Sequence, residues 1–372
     1  MKTTITLWIA GLMITCLTAQ TTVSTFSDGN PDDAIAFDSN GNIYASGFIA
    51  NKVYKFTPSG AMTEFIPSGL LNPNGIDFDS SDFLWLSEWG ANKVGKYDTN
   101  GMLDQEFTIP GNPSGMIKAF DNDDMIYTRY TGNTINRIAP DGTITEVSSA
   151  TELNGPVGLA YDEFGVLYVG NYNNREVYRV LANGDLEYIA TVGGSSNLGF
   201  IAYGQGMLWG TVLGEHKIYA INPNGTDEVI LFAGSTLGNS DGDISVATFN
   251  RPNGIRFNDA EDTMYITDFG SKNLRVISNV ILNIPQQETT EVGMKVYPNP
   301  AREVVNIYVS LPELLPGTLE IHDMRGRVIY SSEINPTILN FNQSIDSSAW
   351  PSGVYMVSYT SEGGTQTSRL LR

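Results

Sequence analysis

The stretch "LWLSEWGANKVGKYDTNG" (Leu84–Gly101) reads as strand, loop, strand and turn. Val94-Gly-Lys-Tyr97 alternates with the period of two that belongs to a half-buried strand. Asn100-Gly101 supplies the positive φ angles that a two-residue hairpin needs, and leads into a further strand over Met102–Phe107. Upstream, the turn Asn72-Pro-Asn-Gly75 precedes an apolar strand at Ile76-Asp-Phe78, and Asp79–Asp82 turns the chain back to the strand around Trp85. The unit is four short antiparallel strands.

The unit returns. Leu84-Trp85 has counterparts at Ile43-Tyr44, Ile126-Tyr127, Leu167-Tyr168, Leu208-Trp209 and Met264-Tyr265. The aromatic positions are separated by 41, 42, 41, 41 and 56 residues, and the long last step holds the extra segment Gly234–Ala247. Asp141-Gly142, Asn183-Gly184 and Asn224-Gly225 repeat the hairpin turn, with Ser59-Gly60 in the same slot. A four-stranded unit repeated at this period is a blade of a β-propeller. Six blades are expected.

The sixth copy gives three strands, ending near Leu274–Ile277, and lacks a fourth. Thr22-Val-Ser-Thr-Phe26 matches the fourth-strand pattern Ala61-Met-Thr-Glu-Phe65. The N-terminal strand is therefore expected to complete blade six and close the ring, which removes open sheet edges. The chain is read as all-β: a six-bladed propeller over residues 20–282, a linker over 283–292 and a small β-sandwich over 293–372.

The repeats resemble NHL repeats, most closely over Ala233–Phe269, where "AGSTLGNSDGDISVATFNRPNGIRF" runs into "MYITDFGSKNLRVI". "LWLSEWGANKVGKYDTNG" also resembles a repeat of the virginiamycin B lyase family. The "PNG" turns at Asn74 and Asn253 resemble those of the gluconolactonase/regucalcin (SMP-30) family. These resemblances agree on the fold and not on one activity.

Past Leu282 the repeat stops, and Pro285–Glu291 is polar and aperiodic, as a linker is. Alternation at Val305-Ile307-Val309, Leu319-Ile321, Val328-Tyr330 and Val354-Met356-Ser358 then marks short strands. Tyr297-Pro-Asn-Pro300, the Asp323-x-x-Gly326-Arg-Val328 hairpin, Gly353-Val-Tyr355 and the basic end Arg369-Leu-Leu-Arg372 resemble the C-terminal sorting domain of the type IX secretion system of Bacteroidetes. That resemblance implies the secretion machinery as a partner of residues 293–372, and a protein that is secreted or held on the outer surface.

The first residues agree with export. Lys2 followed by the apolar run Leu7–Ile14 and small residues up to Ala19 has the layout of a signal peptide, too short to span a membrane, with cleavage expected after Ala19. Cys16 is the single cysteine. A lipoprotein signal would use it, but Thr15 stands where a small residue is usual. After cleavage no thiol remains for disulfides or metal ligation. The chain carries a net charge of −20, and residues 20–282 hold 14 Lys and Arg against 32 Asp and Glu. Such an acidic excess disfavours nucleic acid and anionic lipid as partners.

Chemistry is sparse. No G-x-S-x-G, no H-E-x-x-H and no paired Cys/His site occurs. The lyase resemblance would imply His residues and an acid around the channel, and the chain does not reproduce that set. His216 lies in a loop where other blades carry Asn92 or Asn133, and is read as stabilising that loop or as plainly exposed rather than as a catalytic base; His322 lies in the sorting module. "DSNGN" (38–42), "DNDD" (121–124) and "NSDGD" (239–243) look like cation loops but lack the EF-hand spacing. Asx and Gly are favoured in turns for backbone reasons alone.

The propeller mouth is the remaining place for a site. Residues preceding the strand-starting Gly or Ala (Asp33, Asn74, Ser114, Val157, Leu198, Asn253) and residues three past each aromatic (Gly47, Glu88, Tyr130, Asn171, Val212, Asp268) are expected to open on one face. Asn74, Glu88, Tyr130, Asn171, Tyr172 and Asp268 are candidate ligand-binding residues in a mouth with carboxylates and amides on one side and an apolar wall on the other. The gluconolactonase resemblance implies a divalent ion, Ca²⁺ or Mg²⁺, held by Asp33, Asn74 and Asn253, with Asp268 or Glu88 as base for a lactone hydrolysis. Two readings stand at this point: a module that binds a glycan, peptide or protein, and a metal-dependent hydrolase.

Overall fold

The computed structural model describes residues 20–280 except 226, and residues 293–372 except 298, 302–303, 312–313, 337–339 and 363. The signal peptide with its cleavage after Ala19, the linker over 283–292 and Pro298 lie outside the described residues. Two compact units fall within Met1–Ile281 and Leu282–Arg372. No helix among the described residues is long and apolar enough to cross a membrane.

The first unit is the six-bladed propeller. Blade one is Ile35–Phe37, Ile43–Gly47, Lys52–Phe56 and Met62–Ile66; blade two is Pro73–Phe78, Leu84–Glu88, Lys93–Tyr97 and Leu103–Thr108. Three more four-stranded antiparallel sheets follow in the same order. In the last sheet Pro252–Phe257, Thr263–Asp268 and Asn273–Ser278 are joined on the outside by Thr22–Asp28, with Val23 opposite Ile277. The N-terminal strand closes the ring as expected.

Local chemistry explains the period. At the hairpin of blade two the Asp98 carboxylate accepts the N–H groups of Asn100 (2.9 Å) and Met102 (2.8 Å), while Gly101 adopts φ 77°. That conformation suits glycine and carries the chain directly into the outer strand. Inner and middle strands are buried on both faces, as in Ile43–Gly47 and Leu84–Glu88, whereas the outer strand Leu103–Thr108 is largely exposed. Trp85 and Trp209 are fully buried between sheets. Burying aromatic rings of this size on both faces of a thin sheet supplies packing for a unit that has no cysteine among its described residues.

One alignment differs from the sequence reading. Trp85 lies opposite Asp77 and Tyr168 opposite Ala160, but in blade three it is Ile126 that lies opposite Ile117. The structural equivalent of Trp85 is thus Ile126, and Tyr127 sits one residue late. The 42-residue step therefore falls between Ile126 and Tyr168 rather than between Trp85 and Tyr127.

The second unit has two sheets, Gly293–Tyr297 with Val304–Ser310 and Asn340–Asp346, and Val328–Ile334 with Gly317–Asp323, Val354–Ser361 and Gly364–Leu371. Val305, Ile307, Val309, Leu319 and Ile321 fill its core as expected. In Val354–Ser361 the inward residues are Tyr355, Val357 and Tyr359, with Met356 exposed, so the expected strand is present with the opposite face buried. Large aromatic area outweighs the aliphatic alternation there. Asn299 donates to the Arg369 carbonyl (2.7 Å) and accepts the Leu371 N–H (2.8 Å), so two separate sequence motifs form one contact.

Candidate functional site

Counting from Tyr44, Trp85, Ile126, Tyr168, Trp209 and Tyr265, the residue four positions on is Phe48, Trp89, Tyr130, Tyr172, Leu213 and Phe269. All six line one cavity of about 230 Å³. Each lies just past the end of the second strand, where the chain leaves the sheet. The rings of neighbouring blades meet edge-on or tilted, Phe48 to Trp89 at 5.9 Å, Trp89 to Tyr130 at 6.3 Å and Tyr130 to Tyr172 at 5.9 Å. Such contacts hold the wall rigid, at about 0.5–1.5 kcal/mol per pair.

Beneath that wall lie Asp33, Asn74, Ser114, Val157, Phe200 and Asn253, from the starts of the innermost strands. In blade five Phe200 lines the cup where Leu198 was expected; Leu198 pairs with Val212 as Pro73 pairs with Glu88, and is buried in the sheet packing. The candidates Asp33, Asn74, Asn253, Tyr130 and Tyr172 are therefore gathered in one cup.

Glu88, Asn171 and Asp268 are placed elsewhere. Each ends its strand one position before the wall residue, with its side chain turned back onto the preceding loop. Glu88 accepts the Leu71 N–H at 2.9 Å; Asn171 accepts the Asn154 N–H at 3.1 Å and donates to the Glu152 carbonyl at 2.8 Å. Both oxygens of Asp268 accept the Asn250 N–H (2.8 and 2.9 Å). Burial pushes the Asp268 carboxyl up to about 6 and raises Glu88 as well. None of the three lines the cup. Their carboxylates and amide are occupied with loop backbone, the reason a buried polar group is tolerated at these positions.

At the floor, the Asp33 carboxylate accepts Asn253 Nδ2 on one oxygen (2.9 Å) and Asn74 Nδ2 on the other (2.8 Å). Asn74 Oδ1 in turn accepts the Ser114 hydroxyl at 2.8 Å. Burial, followed by the neighbouring Asp32 charge, holds the Asp33 carboxyl well above the usual carboxylate range. As a cation site the set does not fit in this arrangement: amide nitrogens face the carboxylate, and a calcium or magnesium ion would need both amides to turn over. No cluster of three or more His, Cys, Asp or Glu side chains is placed to hold a metal among the described residues. The cation-like loops are likewise occupied. Asp38 accepts the N–H groups of Asn40 and Asn42, Asp121 and Asp124 pair with Arg137, and Asp241 pairs with the fully buried Arg275 at 2.8 Å.

A further set of residues carried no expectation. Two positions past each marker stand Ser46, Ser87, Thr128, Gly170, Thr211 and Thr267. The hydroxyls of Ser46, Thr211 and Thr267 donate at 2.6 Å to the carbonyls of Asn74, Asn253 and Asp33 in the following blade, and Ser87 donates to Ser114. These bonds set the floor residues. The recurrence of Ser or Thr at a fixed offset was a usable signal. Where the blades approach, a Cβ on Gly254 would lie 2.0 Å from the Asp33 carbonyl oxygen, so that position requires glycine.

His216 accepts the Arg251 backbone N–H on Nδ1 at 3.1 Å. Asn51, Asn92 and Asn133 make the same inter-blade bond through Oδ1, to the N–H groups of Asn72, Asn112 and Gly155. His216 therefore braces the loop, and burial and the Arg251 charge hold its pKa below the usual value.

The model of the virginiamycin B lyase family matches residues 5–234, and that of the secretion system C-terminal sorting domain matches residues 295–371. The latter makes the second unit a type IX sorting domain and marks the protein for the cell exterior or surface. Among solved structures, the chain is similar to virginiamycin B lyase from Staphylococcus aureus (18% identity, 95% of this chain and 99% of that one, TM-score 0.51). It is similar also to a gluconolactonase from Xanthomonas campestris (16%, 69% and 89%, 0.55) and to an auxiliary nutrient binding protein from Bacteroides thetaiotaomicron (16%, 70% and 76%, 0.59). Identities this low establish the fold alone. No curated protein matches the chain.

Proposed function

We propose a binding function for this chain, which belongs to the virginiamycin B lyase family: a secreted or surface-held propeller whose cup takes a ligand, a glycan, peptide or protein segment, of which one small group enters. The observation that carries this reading is the arrival of six equivalent side chains, five of them aromatic, at one cavity. A concave, mostly apolar wall over a few fixed polar groups is what small-ligand sites share. The lining holds no histidine, and its one carboxylate is engaged by two amides. That inventory supports recognition over proton-transfer chemistry. A screen of glycans and peptides against the full chain tests the reading, with Trp89→Ala as the control. A ligand whose affinity drops at least about tenfold in the variant supports it. Ligands indifferent to Trp89 would count against it.

The second reading, a metal-dependent lactonase, draws on the gathering of Asp33, Asn74 and Asn253 at the floor. It requires both amides to reorient around an ion, and a base other than Glu88 or Asp268.

A further inference from the structure

We propose that the cup takes an acidic monosaccharide unit, its carboxylate on Arg251 and its ring against the aromatic wall; this deepens, and rests on, the binding reading above. Arg251 is the one cation among the lining residues. The other cations of blade six are paired: Lys272 with Asp32 at 2.5 Å, Arg256 with Asp77 at 3.3 Å, Arg275 with Asp241. Arg251 has no carboxylate partner among the described residues, in a region with a large acidic excess. Its guanidinium lies 4.9 Å over the Phe269 ring, and its backbone is pinned by His216. Stacking on a ring face orients the planar fork while leaving its N–H edge open, the arrangement that accepts a carboxylate through two parallel bonds.

The rest of the cup selects the body attached to that carboxylate. A cavity of about 230 Å³ holds one ring rather than a chain of them. The Asp33 carboxylate has accepted two hydrogen bonds of about four it can take, and Asn74 keeps one N–H to spare, while Asn253 spends both of its own on Asp33 and the Asp32 carbonyl. A flat aromatic acid would bury these groups without partners, which costs about 1–3 kcal/mol for each such group. A pyranose ring presents hydroxyls to the floor and its C–H face to Trp89 and Tyr130, so both surfaces are satisfied. It also fits a chain whose overall charge repels anions, since the selection is made at one local guanidinium.

The test uses the full chain and two probes, glucuronate and its uncharged methyl ester, titrated by ligand-observed NMR. Glucuronate is expected to bind about tenfold more tightly than the ester; Arg251→Gln should bring the two to equal affinity, and Arg251→Lys should keep part of the preference. Near-UV circular dichroism confirms that each variant is folded. Equal affinities in the wild type, a preference for the ester, or a preference that survives Arg251→Gln overturns the proposal. If neither probe binds while the screen finds another ligand sensitive to Trp89, the acidic-sugar assignment falls and the binding cup stands. If neither probe binds and no ligand depends on Trp89, both fall.

Discussion

Thr267 donates its hydroxyl to the backbone carbonyl of Asp33 at 2.6 Å, across 234 positions of sequence, and so joins the last blade to the first directly beneath the cup. The same hydroxyl accepts the Gly254 N–H at 2.8 Å. One buried side chain thus fixes the Asp33 backbone beneath the floor and ties the seam there, beside the closing strand and the Asn253 amide. Thr267→Val keeps the shape and strands both backbone groups. It should lower unfolding free energy by about 2 kcal/mol, read as a lower urea midpoint at constant slope, while Thr267→Ser stays near wild type. An unchanged midpoint for the valine variant would mean the seam is held elsewhere.

His216 ties blade five to blade six only while Nδ1 is unprotonated, because a protonated ring has no acceptor to offer Arg251. Its folded pKa is lowered by burial and by Arg251, with Glu215 and Lys217 flanking it in the chain. The unfolded chain then binds the proton more readily than the folded one. The contribution is complete above about pH 6.5 and is lost as pH falls through the unfolded value toward the lower folded one. His216→Asn places at a left-handed position (φ 61°) the residue that three other blades use. It should match wild type at pH 8 and unfold with a shallower pH dependence between pH 7 and 5. An unaltered slope would contradict this role.

The number of blades, the N-terminal closing strand and the sorting module were legible because period, hairpin glycines and strand alternation all act locally. Tyr130 and Tyr172 were found, but Phe48, Trp89, Leu213 and Phe269 were passed over. The sequence argument counted three residues from the aromatic; in three blades that position (Glu88, Asn171, Asp268) turns back onto the loop, Gly47 has no side chain and Val212 is buried in the sheet packing, and only in blade three, where Tyr127 is displaced by one, did the count land on the wall. A one-residue offset at a strand end exchanges loop-bracing side chains such as Glu88 for cup-lining ones such as Trp89. The amide orientations at Asn74 and Asn253 depend on contacts between blades far apart in sequence, which no local pattern encodes.

For the floor, the orientation of those amides predicts that calorimetry with millimolar calcium or magnesium gives no stoichiometric binding. Stoichiometric binding that is abolished by Asp33→Ala with Asn253→Ala, with the β-sheet spectrum preserved, would show that the amides turn and would favour the lactonase reading.

Export is expected to depend on the second unit. Deleting residues 293–372 should leave the propeller behind the outer membrane, folded and with its cup intact, since its strands close without that segment. Truncated protein in the medium at wild-type levels would contradict the assignment.

The most direct measurement is a crystal structure of the full chain with the tightest ligand from the screen. The account predicts that ligand in the cup, against Trp89, Tyr130 and Tyr172 and above the Asp33–Asn74–Asn253 floor. A ligand seated on the outer strands or on the opposite end of the propeller, with the cup empty, would contradict it.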